Sequence, residues 1–156
     1  MHRQLVISLL AVTVVACAAS ENALNPSKAQ TERPLAISVE DPALAWGACP
    51  EIFPAGCAVA ILRGDPAEPD ADVLLRMPGG YEIPPHWHTS SERMILVSGE
   101  FKVRYKGQEE VTLNAGDYAY GPAKLPHSAA CVSDEQCILF IAFQSAVDAH
   151  PHEGSL

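Results

Sequence analysis

An all-β chain folded as a barrel or jelly roll is what this sequence predicts, and three observations predict it. Apolar runs of only four to seven residues recur between Gly, Pro, Asp and Asn turn signals from Leu35 onward. No stretch carries a long 3.6-residue hydrophobic period, so amphipathic helices are not expected. In Phe101–Lys106 (FKVRYK) the residues Phe101, Val103 and Tyr105 alternate with Lys102, Arg104 and Lys106, the period-two mark of a half-buried strand. Many short strands create exposed edges, and closed barrels or jelly rolls dispose of them.

The strands follow in order. Ala58–Arg63 (AVAILR) ends at Gly64-Asp65-Pro66, and Asp72–Met77 (DVLLRM) closes at Pro78-Gly79-Gly80. Glu92–Val97, Phe101–Lys106 and Glu110–Leu113 succeed one another at hairpin spacing. Asp117–Tyr120, His127–Cys131 and Cys137–Phe143 complete the set. The last (CILFIAF) is apolar on both faces, as a central strand would be.

Length and composition bound the function. At 156 residues there is room for one ordinary domain, and 48% hydrophobic with 19% charged residues suffices for a core. A net charge of −9 argues against nucleic acid, whose phosphates call for clustered Lys and Arg. No repeat of solenoid or propeller period is visible.

The first residues read as targeting. A basic start, Met1-His2-Arg3, precedes the apolar run Leu5–Val15. As a helix that run spans about 16 Å, half of a bilayer core, so it suits an export signal better than a membrane span. Val14-Val15-Ala16-Cys17 resembles a lipobox, in which the cysteine becomes the acylated first residue. Cleavage as an ordinary signal near Ala16-Cys17-Ala18-Ala19 is the competing reading. The expected organisation is a signal peptide over 1–16, a tether over 17–34, one domain over 35–146 and a polar tail over 147–156. With Cys17 lipidated, four of the five cysteines remain, and the short turn-like stretches between them favour pairing Cys49 with Cys57 and Cys131 with Cys137. Such bridges persist in an oxidising compartment, which agrees with export to the cell envelope or periplasm.

The segment Gly80–Gly99 carries the chemistry. On a strand, His86 and His88 project to one face and Trp87 to the other. Glu92 begins the next apolar strand after Thr89-Ser90-Ser91, so two imidazoles and a carboxylate can converge as a transition-metal site. The spacing is Gly80, five residues, His86, one, His88, three, Glu92, six, Gly99. It resembles the first motif of the cupin superfamily without a gap. A segment similar to the second motif follows, Gly116-Asp-Tyr-Ala-Tyr-Gly-Pro122-Ala-Lys124-Leu-Pro-His127. Two positions depart from that pattern: Lys124 replaces a glycine that permits a turn with positive φ, and Cys131 replaces an asparagine. Trp46 and the stretch Cys57–Pro66 also resemble small bacterial single-domain cupins, so the likeness runs from residue 46 to about residue 144.

The resemblance implies a double-stranded β-helix, or jelly-roll, barrel. It implies one divalent metal held by His86, His88, Glu92 and His127. The N₃O donor set suits Fe, Mn, Ni, Cu or Zn alike. Tyr118 and Tyr120 are candidates to supply a proton to a substrate, or else they fill the barrel wall. Arg76 and Arg104 could meet a carboxylate or lie on solvated faces, and Glu82 reads as a surface acid. His150-Pro151-His152 falls in the polar tail, where adventitious metal binding is its only evident use. The functional expectation is an exported metalloenzyme of dioxygenase type acting on a small organic molecule. The alternatives are a metal-dependent isomerase or lyase and a non-catalytic binding or sensing module. Partners would be a small-molecule ligand and a second copy in a homodimer, with no nucleic acid, and with membrane contact only through the lipid anchor.

Overall fold

In a computed structural model, residues 33–156 are described, and Ile37–Leu156 form one compact unit. The expected signal peptide, Cys17 and the tether up to residue 32 lie outside the described residues. Eleven strands follow: β1 (Trp46–Ala48), β2 (Ala58–Arg63), β3 (Asp72–Met77), β4 (Glu82–Trp87), β5 (Glu92–Ser98), β6 (Glu100–Tyr105), β7 (Val111–Asn114), β8 (Tyr118–Gly121), β9 (His127–Cys131), β10 (Cys137–Phe143) and β11 (His150–Pro151). All strand pairs are antiparallel. They form a six-stranded sheet ordered β1-β2-β3-β10-β5-β8 and a five-stranded sheet ordered β11-β4-β9-β6-β7. This is the all-β double-stranded β-helix that the sequence predicts.

Period-two alternation decides what each sheet buries. Val73, Leu75 and Met77 of β3, Met94 and Leu96 of β5, and Leu139, Ile141 and Phe143 of β10 meet Phe101, Val103 and Tyr105 of β6 between the sheets. CILFIAF is central, as expected, paired to β3 on one side and β5 on the other. Its alternate residue Ile138 joins Ala60 and Leu74 in a smaller cluster on the outer face, packed with Trp46 and Phe140.

The bridges Cys49–Cys57 and Cys131–Cys137 are both formed. The second joins β9 to β10 and so ties the two sheets together, which gives the cysteine at 131 a structural use of its own. Gly99 lies against it. A side chain there would approach Cys137 Sγ to 2.7 Å, and φ is +89°, so glycine is required twice over. Lys124 adopts φ 61° although it is not glycine, so the expected turn is kept at some backbone cost.

The last ten residues are not a tail outside the domain. β11 pairs with β4, placing His150 opposite Trp87, and Val147 packs against the main core. A two-residue strand is too short to leave a period in the sequence, and its contacts are supplied by β4.

Candidate metal centre

Two prolines shape the first part of the site. Pro84 and Pro85 lack amide donors, and the β4–β9 register shifts between Ile83 and His86. The shift puts His86 directly opposite His127, with ring centroids 4.2 Å apart. It also leaves the Pro84 carbonyl free to accept from His86 Nδ1 at 2.8 Å. His88 lies just past the end of β4, its Nδ1 bonded to the Asp148 carbonyl. His127 Nδ1 faces the Leu125 carbonyl at 3.2 Å. A carbonyl can only accept, so each Nδ1 carries the proton and each Nε2 presents a lone pair.

On the opposite sheet Glu92 begins β5, between Phe143 of β10 and Gly121 of β8. Its Oε1 is 3.3 Å from His88 Nε2 and its Oε2 3.6 Å from His127 Nε2. The nitrogens of His86, His88 and His127 lie within 4.8 Å of one another, and all four residues are buried. The structure therefore brings the four predicted ligands together, the His rings on one sheet and the carboxyl on the other.

Burial controls the protonation of this cluster. It lowers His86 to about 2, helped by His127 and His88, and lowers His127 to about 4, helped by His88. His88 is also lowered by burial, against the opposing effect of its bond to Asp148. Glu92 is raised by burial to about 8. At neutral pH the close Glu92–His88 contact is therefore a carboxyl O–H donating to a neutral imidazole, not an ion pair. Three converging Nε2 lone pairs with a carboxyl beside them are a donor set that fits a divalent transition metal.

The site opens into a cavity of about 80 Å³, walled by Phe53, Ile83, Met94, Leu139 and Phe143. Its lining also takes Pro50 from the same disulfide-closed loop as Phe53, and Asp148 and Ala149 from the C-terminal segment. Phe53 stands edge-on to His86 with ring centroids 4.9 Å apart.

Tyr118 and Tyr120 are not part of this site. They are 59% and 51% exposed on the outer face of edge strand β8, while the alternate residue Ala119 packs on the core. Two tyrosines are buried in the core, Tyr81 and Tyr105, and Tyr105 lies beside the site, directly opposite His127 across the β6–β9 ladder. Its hydroxyl is buried without a partner. Sequence alternation had placed Tyr105 on a buried face without showing that the face ends at the ligands. Arg76 stacks on Trp46 at 4.1 Å on the outer face, while Arg104 and Glu82 are exposed.

A metal-competent site between the sheets of a double-stranded β-helix defines a cupin-type protein. Residues 73–143 match the model of the cupin domain, and solved structures share the fold. An RmlC-like cupin from Shewanella frigidimarina NCIMB 400 is similar at 23% identity and TM-score 0.59, over 76% of this chain and 96% of that one. The polyketide cyclase RemF from Streptomyces resistomycificus is similar at 14% identity and TM-score 0.63, over 78% and 88%. The DMSP lyase DddQ from Ruegeria pomeroyi DSS-3 is similar at 21% identity and TM-score 0.60, covering 72% of this chain. The chain spans 64% of that lyase's length, less than two thirds. No curated protein matches the sequence.

Proposed function

We propose that this chain is an exported mononuclear metalloenzyme of dioxygenase type that acts on a small, largely apolar organic molecule. The observation that carries the reading is the convergence of three imidazole Nε2 atoms and the Glu92 carboxyl at an apolar cavity. A transition metal held there would supply Lewis acidity and, for Fe, Mn, Ni or Cu, redox chemistry. The cavity limits the substrate. About 80 Å³ is roughly half of the 150 Å³ that admits benzene, so only a few heavy atoms fit without movement of the lining. Phe143, Met94 and Leu139 exclude water, and the Tyr105 hydroxyl holds a proton near Glu92 and His127.

A lyase or isomerase is the second reading, favoured by two proton-bearing groups at the ligands: Glu92, raised to about 8, and Tyr105, raised above the ordinary tyrosine value. The structurally similar proteins include a DMSP lyase and a polyketide cyclase, which adds support for that side. Export with a lipid at Cys17 completes the proposal, supported by the two disulfides, which suit an oxidising compartment.

The test is elemental analysis of untagged protein, with Glu92→Ala/His127→Ala as control, then oxygen uptake across small aliphatic diketones and organic acids. One equivalent of Fe, Mn, Ni or Cu with oxygen-dependent turnover is the expected result. Zinc with oxygen-independent turnover would favour the lyase or isomerase. Metal without turnover would leave a binding or sensing module.

A further inference from the structure

The turn that joins two of the four candidate ligands is fastened by a segment beyond the cupin match. His88 and Glu92 bracket Thr89-Ser90-Ser91, and each residue from His88 to Ser91 is bonded to the chain between Gln144 and Asp148. His88 Nδ1 donates to the Asp148 carbonyl. The Thr89 amide donates to Asp148 Oδ1 at 2.8 Å. The Ser90 hydroxyl accepts from the Gln144 and Ser145 amides at 2.8 and 2.9 Å. Ser91 Oγ donates to Gln144 Oε1 at 2.9 Å, and the Gln144 amide donates to the Ser91 carbonyl at 3.3 Å.

Small polar residues in a three-residue turn have little intrinsic order, and fixing each backbone costs about 1–2 kcal/mol. The bonds to 144–148 meet that cost and set the spacing of an imidazole and a carboxylate. Asp148 has a particular place among them. Its carbonyl fixes the His88 tautomer, while its carboxylate is fastened on both sides, to Thr89 and, through Oδ2, to His150 Nε2 at 3.1 Å. His150 in turn stacks on Trp87 at 4.2 Å, between the two first-motif histidines in sequence.

We propose that residues 144–148 are the positioning scaffold of the metal centre, and that Asp148 is the residue that aims His88. The proposal rests on the metal reading above. The C-terminal segment thus does for His88 what the residue two positions back does for His86 and His127, from 60 residues away in sequence.

The test is titration of metal-free protein with Co²⁺, read as an affinity and as the visible spectrum of the bound ion. Loss of an outer partner of a ligating histidine typically costs 10–100-fold in affinity. Asp148→Ala keeps the carbonyl that accepts from His88 but removes the carboxylate that fastens it to Thr89 and His150, so Co²⁺ affinity should fall towards that range with an altered spectrum. Asp148→Asn, which keeps an acceptor for the Thr89 amide, should recover both. Where Asp148→Ala fails to fold, His150→Ala carries the test, because that ring is 44% exposed; it should weaken binding in the same direction. Variants that shift only the thermal midpoint and bind Co²⁺ with the parent's affinity and spectrum would overturn the proposal alone. No Co²⁺ binding by the unaltered protein would overturn the metal reading, and this proposal with it.

Discussion

Tyr105 sits directly opposite His127 across the β6–β9 ladder, ring centroids 5.3 Å apart, and its hydroxyl is buried with no hydrogen-bond partner. An orphaned buried hydroxyl costs about 1–3 kcal/mol, and a native protein that keeps one invites a chemical explanation. Burial first, and the charge of Glu92 second, hold its proton above the ordinary tyrosine range, so it is a donor at every working pH. Tyr105→Phe should therefore raise the stability of the metal-free protein by about 1 kcal/mol and leave metal content unchanged. Turnover should fall by about 10²–10⁴-fold, the usual loss when a proton donor is removed. Thermal denaturation, elemental analysis and steady-state kinetics check the three parts. Full activity in the variant would remove the hydroxyl from the mechanism.

Proton linkage at Glu92 gives a second prediction. In the metal-free fold the carboxyl is raised from 4.5 to about 8, so its stabilising contribution is complete below pH 4.5 and is lost as pH rises to about 8. His86 and His127 are lowered from 6.5 to about 2 and about 4, and His88 is lowered too. Their contributions are absent in acid and complete above 6.5. Three imidazoles outnumber one carboxyl, so these groups make the metal-free protein most stable near pH 6.5. Metal binding needs the carboxylate. Affinity should rise about tenfold per pH unit from neutrality to about pH 8, with one proton released per ion. Calorimetry in buffers of different ionisation enthalpy counts that proton, and a pH-independent affinity would place Glu92 outside the coordination sphere.

Much of this site was legible because its residues fit the spacing of the two cupin motifs that the sequence resembles. His127 opens β9, and Glu92 opens β5 after three small polar residues. β4 was harder to read, since Pro84-Pro85 looks like a loop; only the bulged register with β9 makes it a strand. Alternation shows that Tyr118 and Tyr120 share a face, but the pairing of Ile95 with Tyr118 settles that the face is the outer one. The role of Asp148 had no local trace at all, because it acts on residues 59 and 60 positions away.

The disulfide-closed loop over the cavity yields a third prediction. Phe53 lines the cavity and braces His86, and the Cys49–Cys57 bridge holds the loop that carries it. Phe53→Ala should enlarge the cavity towards the benzene-sized range and admit aromatic ligands that the unaltered protein rejects. Replacing both cysteines by serine should cost about 2–3 kcal/mol in the chain-entropy account and admit the same ligands through a looser loop. Calorimetry with catechol, set beside a small aliphatic acid, reads the change. Identical ligand ranges for the three proteins would mean that the loop does not set specificity.

Cys17 provides the last test, and it bears on where this chemistry takes place. Val14-Val15-Ala16-Cys17 resembles a lipobox after an apolar run too short to span a bilayer. A single acyl chain binds membranes only marginally, whereas several chains on one residue anchor stably. In a bacterial host, Cys17→Ser should release the protein from the membrane fraction to a soluble exported one and abolish labelling by radioactive palmitate. The four remaining cysteines should still pair as Cys49–Cys57 and Cys131–Cys137, because neither bridge uses residue 17. Membrane association that survived the substitution would sink the anchor. Appearance of the variant in the cytoplasm with free thiols would sink export as well, since both bridges need an oxidising compartment to persist.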